Sequence, residues 1–244
     1  MNIVLILILF GIVVLATCFL EGVTGFGCTA LALPFCTLLV GIKTAVPVLF
    51  ILAWILALYV VMIDHKNIVW KQYFKIILFV GVGLPIGILM FSRFPEDVLK
   101  KILGVFMVAV ALRGVYISFK KAGISRKLPG GLCSFFLFLG GIAHGAFASG
   151  GPLVVIYATE NLKDKSQFRA TLCMLWFTLN TVIIVKDLAS SLLTVSMFQI
   201  TAVSLPFLFV GMILGNVAHG KIKETFFTKL VYIILLFSGA FMFI

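Results

Sequence analysis

The chain has 244 residues, of which 63% are hydrophobic and only 11% are charged. Soluble domains are about half apolar, so this sequence lacks the polar faces that a soluble fold needs. The formal net charge is +11, but the basic residues lie between apolar runs, as in the cytoplasmic loops of membrane proteins, and do not indicate a nucleic-acid partner. The sequence therefore predicts an all-α polytopic protein of the lipid bilayer.

Ten apolar segments follow one another along the chain. Eight have close to the roughly 20 residues that a helix needs to span a bilayer. Two are shorter, and because each directly follows a glycine-rich break, we expect half-helices or re-entrant segments there. In chain order the segments are Asn2–Leu20, Thr29–Val40 (short), Thr44–Ile63, Phe74–Phe91, Val98–Phe119, Gly130–Phe147, Pro152–Ala158 (short), Phe168–Val185, Met197–Val217 and Phe226–Phe243.

The first break, "EGVTGFG", places the carboxylate of Glu21 and three glycines inside an apolar run. A short helix after such a break would present backbone N–H groups and the positive end of its dipole, which together favour an anion. Glycine also lets a ligand approach the backbone closely. Close packing of helices through small residues is the alternative explanation.

The second break, "AHGAFASGG", repeats the order of the first. At an offset of 123 residues the aligned pairs are Glu21 with His144, Gly22 with Gly145, Gly25 with Ala148, Gly27 with Gly150, Cys28 with Gly151 and Asp64 with Asp187. At an offset of 128 they are Gly83 with Gly211, Gly87 with Gly215 and Glu96 with Glu224. The sequence thus predicts a duplication, with an N-terminal repeat at 1–123 and a C-terminal repeat at 124–244 in one integrated membrane domain.

The distribution of basic residues predicts how the two repeats are oriented. The loop Lys120–Lys127 is basic, as is the stretch after Asp64, which places both in the cytoplasm by the positive-inside rule. The loop Asp187–Thr194, which follows the partner of Asp64, is not basic and fits the outside. The halves are therefore predicted to be inverted, and inverted repeats with broken helices favour a transporter with its site at the repeat interface.

Residues at and near the breaks are the candidates for binding substrate. Each has a structural alternative: small-residue packing for the glycines, a bond back to its own helix for the hydroxyls, a bridge between helices for Asn180, and lipid phosphate or Glu160 as the partner of Arg169. The candidates are Gly22, Thr24, Gly25, Gly27, Thr29, Ser149, Gly150, Gly151, Asn180 and Arg169.

Glu21 and His144 are the candidates for proton coupling. They occupy matching places beside the two breaks, and ionisable groups inside a membrane are functional candidates by default. Either could take up or release a proton as an anion moves, and a buried structural hydrogen bond is the alternative. The five cysteines and three histidines show no spacing typical of metal ligands, so we expect neither a metal nor a cofactor.

The stretches "EGVTGFGCTALALP", "GGIAHGAFASGGP" and "FRATLCMLWFTLN" resemble the paired glycine-rich motifs of the sulfite exporter TauE/SafE family. The resemblance covers nearly the whole chain, although Cys28 stands where a glycine is common. It implies a multi-pass carrier of the bacterial inner membrane that exports sulfite, a sulfonate or a related sulfur-containing or organic anion by alternating access. Proton coupling and a homodimer are left open by it.

Two other functions compete with this interpretation. An anion channel or uniporter would not need proton-active groups at the breaks. An intramembrane serine protease would use Ser149 with the distant His219, but Phe147 stands where the leading glycine of a GxSG motif is expected. The repeat already accounts for the surroundings of Ser149, so we do not expect an enzyme.

Overall fold

A computed structural model describes residues 3–119, 129–162, 164–219 and 236. Within these ranges the chain forms nine α-helices and one 3₁₀ turn, and no strand. The helices are α1 (Ile3–Thr24), α2 (Cys28–Val40), α3 (Ile42–Asp64), α4 (Trp70–Arg93), α5 (Glu96–Phe119), α6 (Gly130–Phe147), α7 (Gly151–Asn161), α8 (Lys165–Ala189) and α9 (Val195–Ala218). The all-α prediction is confirmed.

Each of the first nine predicted segments corresponds to one helix. Several helices begin in polar residues before the predicted apolar run. A polar side chain that caps the first amides of a helix can start it before the first apolar residue. Asp164, for example, accepts a hydrogen bond from the amide of Gln167 at 2.9 Å and starts α8 at Lys165. The predicted segment Phe226–Phe243, the loop Lys120–Lys127 and the boundary between the repeats lie outside the described residues.

Six helices are long and apolar enough to cross a membrane, which makes the protein multi-pass. These are α1, α3, α4, α6, α8 and α9. The two short helices have 13 residues in α2 and 11 in α7, which correspond to about 20 and about 16 Å. Since the hydrocarbon core is about 30 Å thick, neither short helix can cross it alone.

Helices α3 and α8 form the centre of the molecule. They pack against each other, and 56% of the spanning window of each is buried. Helix α1 pairs with α9 and helix α4 with α6. The outer faces of these pairs expose apolar side chains such as Leu78 on α4 and Ile213 on α9, as expected for contact with lipid.

Glycines allow the two outer helix pairs to cross closely, and their contacts follow the sequence repeat. A Cβ atom on Gly83 would overlap the carbonyl oxygen of Phe138, and one on Gly211 would overlap that of Leu15. The two glycines are related by the offset of 128 and their partners by the offset of 123. The same holds for Gly87 against Ile142 and Gly215 against Phe19. These contacts support a duplication, while the inverted orientation of the halves stays a prediction.

Candidate functional site

A buried cavity lies where the two breaks meet. Its lining residues come from both halves: Glu21, Gly27, Thr29, Ala30, Ala53, His144, Ala148, Gly151, Trp176 and Asn180. The cavity has a volume of about 10 Å³, close to the minimum that holds one water molecule. In this conformation it is therefore too small for an oxyanion such as sulfite.

The first break turns the chain sharply between α1 and α2. Gly25 has φ 82° and Gly27 has φ 105°, backbone conformations that favour glycine because it has no Cβ. The amide of Gly25 donates to the carbonyl of Glu21 at 2.7 Å, which closes the last turn of α1. The chain then reverses, so that Cys28, the first residue of α2, faces the end of α1.

Glu21 uses this turn to reach the start of α2. Its Oε2 accepts a hydrogen bond from the amide of Cys28 at 2.8 Å, and the residue is 3% exposed. The carboxylate therefore lies at the positive end of the α2 dipole, where an anion is favoured. The buried hydrogen bond that the sequence left open as the structural role of Glu21 is thus present, with the amide of Cys28 as its donor.

The second break closes its preceding helix as the first does and then follows a different backbone path, because Gly150 has φ −72° where the aligned Gly27 has φ 105°. Ala148 has φ 54° although it is not glycine, and its amide donates to the carbonyl of His144 at 2.8 Å. A Cβ on Gly150 would overlap the carbonyl oxygen of Gly140 and lie 2.8 Å from the Cβ of His144. Gly150 therefore serves close packing, whereas a Cβ on Gly151 would meet nothing nearer than 3.7 Å.

His144 lies in an aromatic and polar setting at the cavity. Its Nε2 is 2.9 Å from Oδ1 of Asn180, and its ring stacks on Trp176 with centroids 5.1 Å apart. Phe50 meets the same ring edge-on at 5.6 Å. Among the described residues, neither Nδ1 of His144 nor Nδ2 of Asn180 has a hydrogen-bond partner, although both atoms are buried.

Two hydrogen bonds tie the breaks and the central helices together. The hydroxyl of Thr29 on α2 donates to the carbonyl of Ala148 in the second break. The Nε1–H of Trp176 on α8 donates to the carbonyl of Gly25 in the first break at 3.1 Å. The two breaks are therefore linked to each other and to α8 by direct hydrogen bonds.

The structure brings half of the predicted site residues to the cavity. Those that line it are Glu21, Gly27, Thr29, His144, Gly151 and Asn180. Those that are not among its lining residues are Gly22, Thr24, Gly25, Ser149, Gly150 and Arg169.

The glycines and the threonine outside the cavity have structural partners. A Cβ on Gly22 would lie 3.1 Å from Cα of Gly215, and one on Gly25 would lie 2.7 Å from Cα of Arg169. The hydroxyl of Thr24 donates to the carbonyls of Leu20 and Phe26 at 2.9 and 2.8 Å. For these residues the geometry supports the structural alternatives that the sequence left open.

Arg169 is paired within the protein. It is 1% exposed, its Nη1 lies 3.5 Å from Oδ2 of Asp64, and its Nη2 donates to Oδ1 of Asn216 at 2.9 Å. The expectation that its guanidinium meets lipid phosphate is wrong, because the side chain is buried. The predicted contact of Arg169 with substrate gains no support from this position.

The sequence analysis did not select Trp176, Ala53, Ala30 or Phe50. Trp176 could have been found, because it lies four residues before Asn180 on α8 and so shares a helix face with it. The two alanines and Phe50 carry no signal that separates them from ordinary core residues.

The chemistry of a protease or a metal site finds no geometric support in the described part of the chain. There, no hydrogen bond joins Ser149 to His219, whose Nδ1 lies 2.7 Å from the carbonyl oxygen of Val23. Residues 3–119, 129–162, 164–219 and 236 also contain no group of three or more His, Cys, Asp or Glu that could hold a metal ion.

Comparisons with known proteins agree with the fold of a multi-pass membrane protein. The family model "Sulfite exporter TauE/SafE" matches residues 9–242. The chain is 24% identical over 178 residues to the "Probable inner membrane transporter protein TsaS" of Comamonas testosteroni, a match that covers 72% of this chain and 73% of that protein. No solved structure matches. Because the family model spans nearly the whole chain, this membrane protein belongs to the sulfite exporter TauE/SafE family of transporters.

Proposed function

We propose that the protein is a secondary-active transporter that exports sulfite, a sulfonate or a related sulfur-containing or organic anion by alternating access. The observation that carries the proposal is the cavity between the two breaks, which both halves of the chain line. The family description supports a sulfur oxyanion as the substrate class. The name of the relative from Comamonas testosteroni supports transport across an inner membrane.

The donor set around the cavity suits an anion that must bind and then leave. The start of α2 supplies backbone N–H groups and Asn180 supplies an amide N–H, whereas the hydroxyl of Thr29 already donates to the carbonyl of Ala148. None of the described residues that line the cavity is Lys or Arg. Neutral donors and a helix dipole favour an anion without the strong attraction of a full charge, so release on the other side of the membrane stays fast.

Alternating access fits the small size of the cavity. An anion larger than one water molecule can enter only if the breaks or the central helices move apart. Two structurally related halves that contact each other at the site allow such a movement from either side of the membrane. A channel would instead need a continuous pathway in its open state.

Coupling to protons is assigned to Glu21 and His144, which face the same cavity from equivalent places in the two repeats. An ionised carboxylate about 5 Å from an anion repels it by about 3 kcal/mol at an effective dielectric constant of about 20. Glu21 must therefore be protonated or turn away when substrate binds, and its ionisation would help to expel the anion. A charged His144 would act in the opposite sense by attracting the anion.

The decisive experiment measures anion flux into proteoliposomes with sulfite, methanesulfonate, acetate and chloride, with and without a pH gradient. A carrier gives saturable flux and accelerated exchange when the same anion is present on both sides. Asn180→Leu should abolish the flux, whereas Ser134→Ala, an exposed hydroxyl bonded to its own helix, should not. Flux of sulfite or methanesulfonate without exchange would replace the carrier by a channel, and no flux of either would overturn the substrate class.

The inverted orientation has its own test. Single cysteines placed in Lys120–Lys127 and in Asp187–Thr194, on a background without the native cysteines, are labelled in intact cells with a reagent that does not cross membranes. We expect labelling only in the second loop. Labelling of both loops, or of neither, would contradict inverted repeats.

A further inference from the structure

The first break holds a carboxylate where a substrate anion would bind. We propose that Glu21 is a built-in competitor, whose carboxylate occupies the start of α2 until the oxyanion group of the substrate displaces it. The proposal rests on the proposed function, since it takes anion transport as given, and it adds the position that the anion takes and the group it replaces.

The first observation is the way Glu21 is bound. One oxygen of its carboxylate accepts from the amide of Cys28 at 2.8 Å, across a reversal of seven residues. The amides of Thr29 and Ala30 follow in the first turn of α2, where no earlier carbonyl of the helix is available. The start of this 13-residue helix thus offers more donors than the single carboxylate oxygen uses.

The second observation is independent of the helix and points to a ligand. Asn180 lines the same cavity and is 1% exposed, and its Oδ1 is taken by His144. Within the described residues its Nδ2 has no hydrogen-bond partner. Leaving a buried amide donor unpaired costs about 1–3 kcal/mol. An oxygen atom of a ligand in the cavity would supply the acceptor that Nδ2 of Asn180 lacks.

The second break lacks the equivalent arrangement. His144 takes the place of Glu21 and bonds to Asn180. Pro152, the second residue of α7, has no N–H to offer. A carboxylate that competes with substrate is therefore found only at the first break of the described residues. There the Glu21 carboxylate shows that an anionic oxygen fits the start of α2.

Displacement has a definite consequence for the ligand. If Glu21 leaves as the anion arrives, the start of α2 holds one negative charge throughout, and the repulsion of two anions is avoided. A carboxylate or sulfonate head group places two oxygens on one side, so one oxygen can accept from the α2 amides while another accepts from Nδ2 of Asn180. We expect carboxylates to bind in the same place as sulfite.

The experiment titrates acetate and sulfite into the purified full-length protein in detergent at one fixed pH, with calorimetry and thermal unfolding as readouts. In Glu21→Ala both anions should bind about tenfold tighter than in the wild type, within the range for an anion at a partly buried helix N-terminus. The matched control is Glu96→Ala. Glu96 also accepts from the first amide of a helix, that of Ile42 at 2.8 Å, but its side chain is 40% exposed, so no gain is expected.

Two further variants keep the test decisive if Glu21→Ala fails to fold. Glu21→Gln keeps the shape of the side chain and removes its charge, so acetate and sulfite should again bind tighter than in the wild type. Adding Asn180→Leu to either variant should remove the gain. Equal affinities in the wild type, Glu21→Ala and Glu21→Gln, with wild-type sulfite flux intact, would overturn the competitor alone. A gain in binding without wild-type flux of any anion would support the competitor site and overturn the proposed transport.

Discussion

The two glycine-rich breaks begin with the same turn and then differ in backbone and in chemistry, since Gly27 has φ 105° where the aligned Gly150 has φ −72°. At both breaks a residue in the left-handed conformation closes the preceding helix with a backbone hydrogen bond. The amide of Gly25 donates to the carbonyl of Glu21, and the amide of Ala148 donates to that of His144. At the first break the side chain of the aligned residue caps the following helix. At the second it bonds to Asn180 on α8 instead. The same helix-closing hydrogen bond thus occurs in both halves, and the side chains decide what each half contributes.

The breaks also differ in how tightly they are packed. Gly150 lies against the backbone of Gly140, whereas the aligned Gly27 has no heavy atom nearer to a potential Cβ than 4.0 Å. Gly150 therefore serves close packing, whereas Gly27 leaves open space beside the cavity that it lines.

The largest difference is expected between substitutions of the two aligned glycines. Gly150→Ala places a Cβ on the backbone of Gly140, which cannot yield as a side chain can, and should cost about 3 kcal/mol or more. Gly27→Ala meets only the strain of its left-handed conformation, about 1–2 kcal/mol. The yield of monodisperse protein and its unfolding temperature in detergent measure both. Equal stability of the two variants would contradict the packed second break.

The next effect concerns the aligned aspartates Asp64 and Asp187, whose partners differ in burial. Arg169, which contacts Asp64, has a side chain that is 2% exposed, and Lys186, which contacts Asp187, has one that is 33% exposed. Arg169→Ala should therefore cost about 2–4 kcal/mol, and Lys186→Ala at most about 1 kcal/mol. Thermal unfolding compares the two.

A double-mutant cycle with Asp64→Asn isolates the ion pair from the bond to Asn216. If Arg169→Ala is as stable as Lys186→Ala, the buried pair does not hold α8 against the end of α3. In that case the ion pair would not account for the close approach of Gly25 to the backbone of Arg169.

The ionisable residues at the breaks should respond to pH in different ways. Glu21→Gln should keep or strengthen anion binding and remove most of the pH dependence of flux, because a neutral amide cannot exchange a proton in this range. His144→Ala should weaken binding most at low pH, where an imidazolium would attract the anion. Flux and affinity between about pH 5.5 and about pH 8.5, the range in which histidine titrates, test both, with Glu96→Gln as the control. Unchanged pH dependence in Glu21→Gln would make Glu21 structural.

The smallest effect is expected at the turn itself. Ala148→Gly relieves the left-handed strain of an alanine, about 1–2 kcal/mol, but adds freedom to the unfolded chain that offsets part of the gain. A net stabilisation of about 0.5 kcal/mol should follow, measurable by thermal unfolding. The mirror change Gly25→Ala should destabilise, because its Cβ would lie 2.7 Å from Cα of Arg169. Destabilisation by Ala148→Gly would show that the methyl group is needed at the cavity.

Local patterns predicted the helices and the breaks well. Apolar length and glycine clusters placed α2 and α7 after the breaks, and the repeat offsets recur in the contacts of Gly83 and Gly211. The signals worked because they depend on hydrophobicity and backbone freedom, which are properties of a few neighbouring residues.

Partners that are distant in sequence were not predictable in the same way. The pairing of Arg169 with Asp64 and Asn216 depends on how three helices meet, and the bond from Trp176 to Gly25 depends on the depth of α8. Composition does not encode such distances. Likewise, nothing in the glycines themselves separated Gly27, which lines the cavity, from Gly150, which packs on Gly140.

The pairing of α1 with α9 sets the timing of assembly during synthesis. Gly22 near the end of α1 packs on Gly215 in α9. The first helix therefore cannot form this contact until about 190 more residues have been synthesised. At about 5–20 residues per second, the ribosome needs about 10–40 s to supply them. During that interval the glycine face of α1 is covered by lipid or by the insertion machinery, so we expect α1 to be open to mispairing in the nascent chain.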